Sequence, residues 1–258
     1  MSGPLHDLVR APLLQTAGLA RRAHRQWPLP RRPWVIGQTW LDLLFVHWRV
    51  PFELLREHVP SVLALDAFDG DAWLGVTPFE LRALHPSLIP PLPGVSRFPE
   101  LNVRTYVTVE EKPGIFFFSL DAGSRLAVEA ARRLYRLPYR HAETRIERVG
   151  GAISFSSQRV GEPARFSARY APGRALPPAV PGTLEHFLTE RYCLYAVERG
   201  RVFRAEIHHP RWRLREAEAE LDFDSLLPAG IVPTAEPMLH YAAREDVLVW
   251  PLREVRGP

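Results

Sequence analysis

Cysteine occurs once in this chain of 258 residues, at Cys193. One thiol excludes an intramolecular disulfide and any cluster of thiolate metal ligands. Its neighbours, Arg191-Tyr192 before and Leu194-Tyr195 after, read as a strand interior, so a buried small apolar side chain is expected rather than a nucleophile. Lysine is equally scarce. Lys112 is the sole one, and arginine makes up the rest of the 33 basic residues. Arginine forms no Schiff base and keeps its charge at any working pH, but its fork of donors suits carboxylates and phosphates. No uncharged apolar run reaches about 18 residues, so no membrane span is expected. Asp7 and Arg10 interrupt the N-terminal apolar residues too early for a signal peptide, which points to the cytoplasm. There is no H-E-x-x-H spacing, phosphate loop, nucleophile elbow or dinucleotide fingerprint, so neither a metal nor an organic cofactor is expected. His208 and His209 are adjacent, and neighbours on a strand face opposite ways, which is a poor grip for one metal.

Hydrophobic residues make up 46% and charged residues 24%, the balance of an ordinary soluble globular protein. The formal charge is +4 and the isoelectric point about 9.6. The charges are interspersed, and only residues 20–34 form a basic patch. No nucleic-acid motif accompanies it, so no nucleic-acid partner is expected.

Leucines at helical spacing predict an amphipathic helix over residues 4–26, followed by a proline-rich connector to residue 33. Its expected role is a latch on the main body. Strands are predicted at 38–50, on either side of Asp69-Gly70 within 63–84, and on either side of a turn at Lys112-Pro113-Gly114 within 101–122. A short helix at 51–60 separates the first of these from the rest. The strongest helix is 124–137, with Asp121 or Ser124 as its N-cap. Further strands fall near 142–148, 152–159, 164–170, 192–198, 201–208, 211–221, 238–243 and 246–251, with a helix at 183–191. Strands and helices do not alternate as parallel units would. One domain over 34–258 is expected, α+β but mainly β, as a closed antiparallel barrel or cone, because closure removes exposed edges.

Four stretches carry a resemblance: FPELNVRTYV (98–107), FFSLDA (117–122), RLYRLPYRHA (133–142) and FLTERYCLYA (187–196). They resemble the uncharacterised YqjF-like proteins of the acetoacetate decarboxylase-like superfamily over residues 36–251. The resemblance implies a mainly antiparallel barrel around a central cavity. In the decarboxylases a proline is followed by two lysines. The first forms a Schiff base with a β-keto acid, and its neighbour's charge lowers its pKa. By order and spacing Pro138-Tyr139-Arg140 falls on that motif, with Tyr139 at the nucleophile's position and Arg140 at the helper's. Glu100 falls near a glutamate that those enzymes keep in the cavity. Neither a phenol nor a guanidinium condenses with a ketone, and Lys112 is read as lying in an exposed turn. Schiff-base decarboxylation is therefore not expected.

Glu100, Asn102 and Arg104 alternate and would share one strand face, turned either to a cavity or to water. Glu190, Arg191 and Tyr192 sit at a helix-to-strand junction, either as a structural ion pair or at the cavity mouth. His141 is a proton shuttle or a histidine satisfied by a backbone carbonyl. The leading expectation is a protein that binds a small acidic molecule, with Arg140 and Arg104 or Arg191 on its carboxylate and Tyr139 and Tyr192 beside it. The rivals are a non-covalent acid–base enzyme of lyase, isomerase or hydrolase type on keto or hydroxy acids, and an interaction module built on the N-terminal helix. The enzyme reading uses Tyr139, His141 or Glu100 with Arg140. A homo-oligomer is compatible with each.

Overall fold

The computed structural model describes residues 10–92 and 94–256. The N-terminal helix is shorter than its periodicity suggests. Helix α1 runs Ala11–Ala17 and one turn of 3-10 helix follows at Gly18–Ala20; the predicted portion before residue 10 lies outside the described residues. The segment does pack on the body. Buried Gln15 donates to Thr39 Oγ1 at 3.1 Å, and its amide oxygen accepts from His85 Nε2 at 2.9 Å.

Thirteen strands form one sheet. β1 is Ile36–Val50, β2 Ala64–Leu65, β3 Ala72–Pro86, β4 Phe98–Val109 and β5 Lys112–Ala122. β6 is Tyr139–Val149, β7 Ala152–Arg159, β8 Arg165–Ala175 and β9 Cys193–Glu198. β10 is Arg201–His208, β11 Arg215–Asp224, β12 Met238–Val249 and β13 Arg253–Val255. Helices α2 (Phe52–Arg56), α3 (Arg125–Tyr135) and α4 (Leu184–Thr189) interrupt them. The strand order is β13-β10-β9-β5-β6-β7-β8-β11-β12-β1-β3-β4-β2, with further pairings β4–β5 and β10–β12. These extra pairings give a ring, β5-β4-β3-β1-β12-β10-β9 and back to β5.

Two features depart from the expected all-antiparallel sheet. β5 runs parallel to β6, with Leu120 opposite Tyr139, and parallel to β9, with Ile115 opposite Leu194. A parallel neighbour needs a crossover, and α3 supplies the one between β5 and β6. Ser124 caps that helix by accepting from the Ala127 amide, while Arg136 ends it in the left-handed conformation. The other predicted cap, Asp121, is buried instead against Arg159 at 2.8 Å. Strands predicted at 238–243 and 246–251 are one strand, β12.

The hairpin between β4 and β5 corrects the reading of Lys112. The turn is Glu110-Glu111, both at positive φ, and Lys112 is the first residue of β5, opposite Val109. Its side chain is buried, with Nζ 2.7 and 2.8 Å from the two Glu206 carboxylate oxygens. Gly114 serves packing rather than a turn: a Cβ there would meet the Tyr195 ring at 2.5 Å and the Cys193 carbonyl at 2.8 Å. No helix among the described residues is long and apolar enough to cross a membrane.

Candidate functional site

A cavity of about 180 Å³ lies within the ring, and every one of the ring's seven strands contributes to its wall. β4 supplies the polar floor. Its alternation brings Glu100, Asn102 and Arg104 to the cavity side, all buried. β3 pairs with it so that Phe79 stands opposite Glu100, Thr77 opposite Asn102, and Gly75 opposite Arg104. Gly75 makes room: a Cβ would come within 3.2 Å of both the Arg104 side chain and the His47 ring. The remaining wall is apolar, chiefly Trp40, Phe45, Phe98, Phe117 and Trp212.

Tyr139 reaches the cavity from the first position of β6 and donates to Glu100 Oε2 at 2.9 Å. Burial raises the Glu100 carboxyl to about 8, the charge of Asp121 adds to that, and the Tyr139 bond opposes it. Burial and the adjacent Glu100 hold the Tyr139 phenol well above its ordinary value, so its proton stays on. At neutral pH this corner is a neutral carboxyl bonded to a neutral phenol.

The cations behave differently from one another. Arg191 lines the cavity but is committed: Nη1 lies 2.7 Å from Asp66 and Nε donates to the Phe187 carbonyl at 2.6 Å. Arg104 has no carboxylate partner among the described residues. Its guanidinium lies 5.4 Å from the Phe45 ring centre and 6.0 Å from that of Tyr106, and its Nε is buried without a hydrogen-bond partner. Trp40 Nε1, Thr77 Oγ1 and Asn102 Oδ1, on the same walls, are also buried and unpartnered. Buried polar atoms are rarely left unsatisfied, so those on β3 and β4, at Thr77, Asn102 and Arg104, mark where a ligand's polar atoms would go. Burial lowers His209 to about 3, leaving it uncharged, and burial raises the Tyr135 phenol, so that it too is neutral. With the Arg191–Asp66 pair self-neutralising, the cavity carries one uncompensated positive charge below pH 8.

The sequence-predicted residues divide accordingly. Glu100, Arg104, Tyr139 and Arg191 meet at the cavity. Arg140 does not, because it follows Tyr139 on a strand and faces the other way. Its side chain is 49% exposed, with Nε 3.8 Å from Glu162. His141 is absent from the wall. Tyr192 is buried elsewhere, bonded to Glu190, stacked on His209 at 4.7 Å and covered by Arg25 at 4.5 Å. His209, Trp212 and Thr77 were not singled out as site residues. They come from the loop after β10 and from β3, and only the fold brings them to β4. Cys193 is buried, and burial pushes its thiol up to about 12. No group of three metal-ligating side chains exists among the described residues.

Comparison with known proteins gives three findings. The model of the family DUF2071, described as an uncharacterized conserved protein, matches residues 37–246. The uncharacterized protein YqjF of Bacillus subtilis is 47% identical over 229 residues, covering 88% of this chain and 95% of that one. Among solved structures, the enduracididine biosynthesis enzyme MppR complexed with pyruvate superposes with a TM-score of 0.62 at 16% identity, over 89% of this chain and 93% of that one. An acetoacetate decarboxylase-like enzyme from Sphingomonas wittichii gives 0.61 at 11% identity, over 91% and 98%.

Proposed function

This chain belongs to the DUF2071 family and has an acetoacetate decarboxylase-like fold, and we propose that it uses the central cavity to bind a small carboxylate without forming a Schiff base. The observation that carries this is Arg104, a buried guanidinium on the cavity wall with an unpartnered Nε and no carboxylate beside it. A buried cation without a counter-ion is costly, and an anion arriving in the cavity removes that cost. Arg104 takes the part first given to Arg140, whose side chain faces away. Thr77 and Asn102 stand next along the wall to hold a second polar group. The solved neighbour holding pyruvate, a small 2-oxo acid, has the same fold. The chain's one lysine is engaged by Glu206, which argues against imine chemistry.

Calorimetric titration with pyruvate and phenylpyruvate tests the reading. Arg104→Gln is expected to weaken binding by about 10- to 150-fold, the worth of hydrogen bonds to a charged group. Arg140→Gln is expected to leave it unchanged. Loss with Arg140→Gln and none with Arg104→Gln would refute the assignment. Borohydride trapping of either ketone on the protein would refute the non-covalent part.

A second reading rests on Glu100. A carboxyl held at about 8 inside a cavity is matched to proton transfer near neutrality. In that reading Glu100, relayed by Tyr139, moves a proton at the carbon next to the keto group, which in pyruvate is the methyl, and Arg104 stabilises the enolate-like anion. Exchange of pyruvate methyl protons into heavy water, lost in Glu100→Gln, distinguishes turnover from binding alone.

A further inference from the structure

The cavity is elongated and its two ends differ. Phe98, Glu100, Asn102 and Arg104 all line it from β4, and six strand residues span about 20 Å. Apart from the phenols of Tyr135 and Tyr139, the ionisable side chains are confined to the stretch from Glu100 to Arg104 and to Arg191 and His209 around it. Beyond Glu100 the wall is Phe98, Leu81, Leu84 and Trp40, and the polar groups are Gln38 and the Trp40 indole N–H. Helix α3 covers this half with its smallest side chains. Ala127 packs with Phe98 and Leu81 in one apolar cluster, and Ala130, Ala131 and Leu134 continue the wall. Ala130 and Leu134 are also open to solvent, Leu134 at 65% exposure, so the mouth lies along this face of α3.

We propose that the ligands are amphipathic monocarboxylic acids, with the carboxylate at Arg104 and an alkyl or arylalkyl tail lying past Phe79 and Phe98 beneath the alanines of α3. This rests on Arg104 being the carboxylate's partner. Three features carry it. The far half has no cation to meet a second carboxylate. Its wall is almost wholly apolar, which favours a tail that sheds water there. The alanines leave open space where a larger residue would close the mouth. The volume of about 180 Å³ slightly exceeds the roughly 150 Å³ of an engineered cavity that takes up benzene. The cavity therefore encloses an acid of about six carbons, carboxylate included, and longer tails emerge past Ala130 and Leu134.

Acetate, butanoate, hexanoate, octanoate and hexanedioate, titrated calorimetrically into the full chain, test this. Affinity is expected to rise about fourfold per methylene as far as hexanoate and then level off. Hexanedioate is expected to bind roughly a hundredfold more weakly than hexanoate, because its second carboxylate loses water without gaining a partner. Ala130→Trp, at the mouth, is expected to weaken octanoate about tenfold while leaving acetate as it was. Affinity that stays flat from acetate to octanoate, with binding still lost in Arg104→Gln, overturns the tail and leaves carboxylate binding standing. Failure of all five acids to bind overturns carboxylate binding and the tail with it.

Discussion

Replacing Glu100 with glutamine tests the electrostatics of the cavity without any ligand. Glutamine keeps the size of the side chain and an oxygen to accept from Tyr139, but cannot ionise. In the native protein the Glu100 carboxyl lies at about 8 rather than 4.5. The folded state therefore holds a proton that the unfolded chain has released across the window between those values. Stability attributable to Glu100 is complete at low pH and falls as pH rises through the window. At 1.36 kcal/mol per pH unit, the loss between pH 5 and pH 8 is roughly 3 to 4 kcal/mol. In a protein of this size that is a difference in Tm on the order of 10 °C.

The assay is urea unfolding of both proteins at pH 5, 6, 7 and 8, taken as the difference between them. Other buried carboxyls, such as Glu245, raised to about 9 by its burial, titrate in both proteins and cancel. Glu100→Gln should match the native protein near pH 5 and exceed it progressively toward pH 8. The same protonation sets the charge of the cavity. Once Glu100 ionises, its charge offsets that of Arg104, so affinity for a monocarboxylate should fall above pH 8 in the native protein and not in the variant. Unfolding free energies that differ by a constant from pH 5 to pH 8 would refute the reasoning, since they would mean that Glu100 is already ionised in the fold.

Two further outcomes follow from groups away from the cavity. Lys112→Met should cost about 2 to 3 kcal/mol in urea unfolding, less than for a wholly orphaned buried charge, because Arg204 and Arg25 remain 3.6 and 3.9 Å from Glu206. A neutral effect would show the ion pair to be absent in solution. Cys193 should react with a thiol reagent no faster than the protein unfolds, since burial raises its thiol to about 12, and rapid native labelling would contradict that burial.

Local pattern carried the floor of the site but not its direction. The alternation of Glu100, Asn102 and Arg104 follows from strand geometry, yet the same alternation suits a face turned to water. What decides between the two is the ring of strands, formed by pairings such as Ile115 with Leu194 and Glu100 with Ala122. Arg140 failed for a related reason. Sequence order aligned it with a helper residue, but β6 starts at Tyr139, and one step along a strand reverses the side chain. Lys112 failed because a proline and glycine after it look like a turn. The turn lies at Glu110-Glu111, and the glycine is there for the Tyr195 ring. Arg191 and Asp66 meet across 125 residues, and no local signal records such a contact.

These corrections change where the chemistry comes from. Sequence order aligned Pro138-Tyr139-Arg140 with a motif in which two neighbouring side chains act on one another. Here those neighbours are separated by the sheet: Tyr139 turns inward to Glu100, and Arg140 turns outward toward Glu162. The uncompensated cation inside comes from β4, on a residue that can neither attack a carbonyl nor lose its proton. A charge fixed in that way supplies no nucleophile and acts on whatever anion enters. On the proposed reading the cavity keeps the electrostatic half of the arrangement without the nucleophilic half, and recognition of a carboxylate is the function we propose for it.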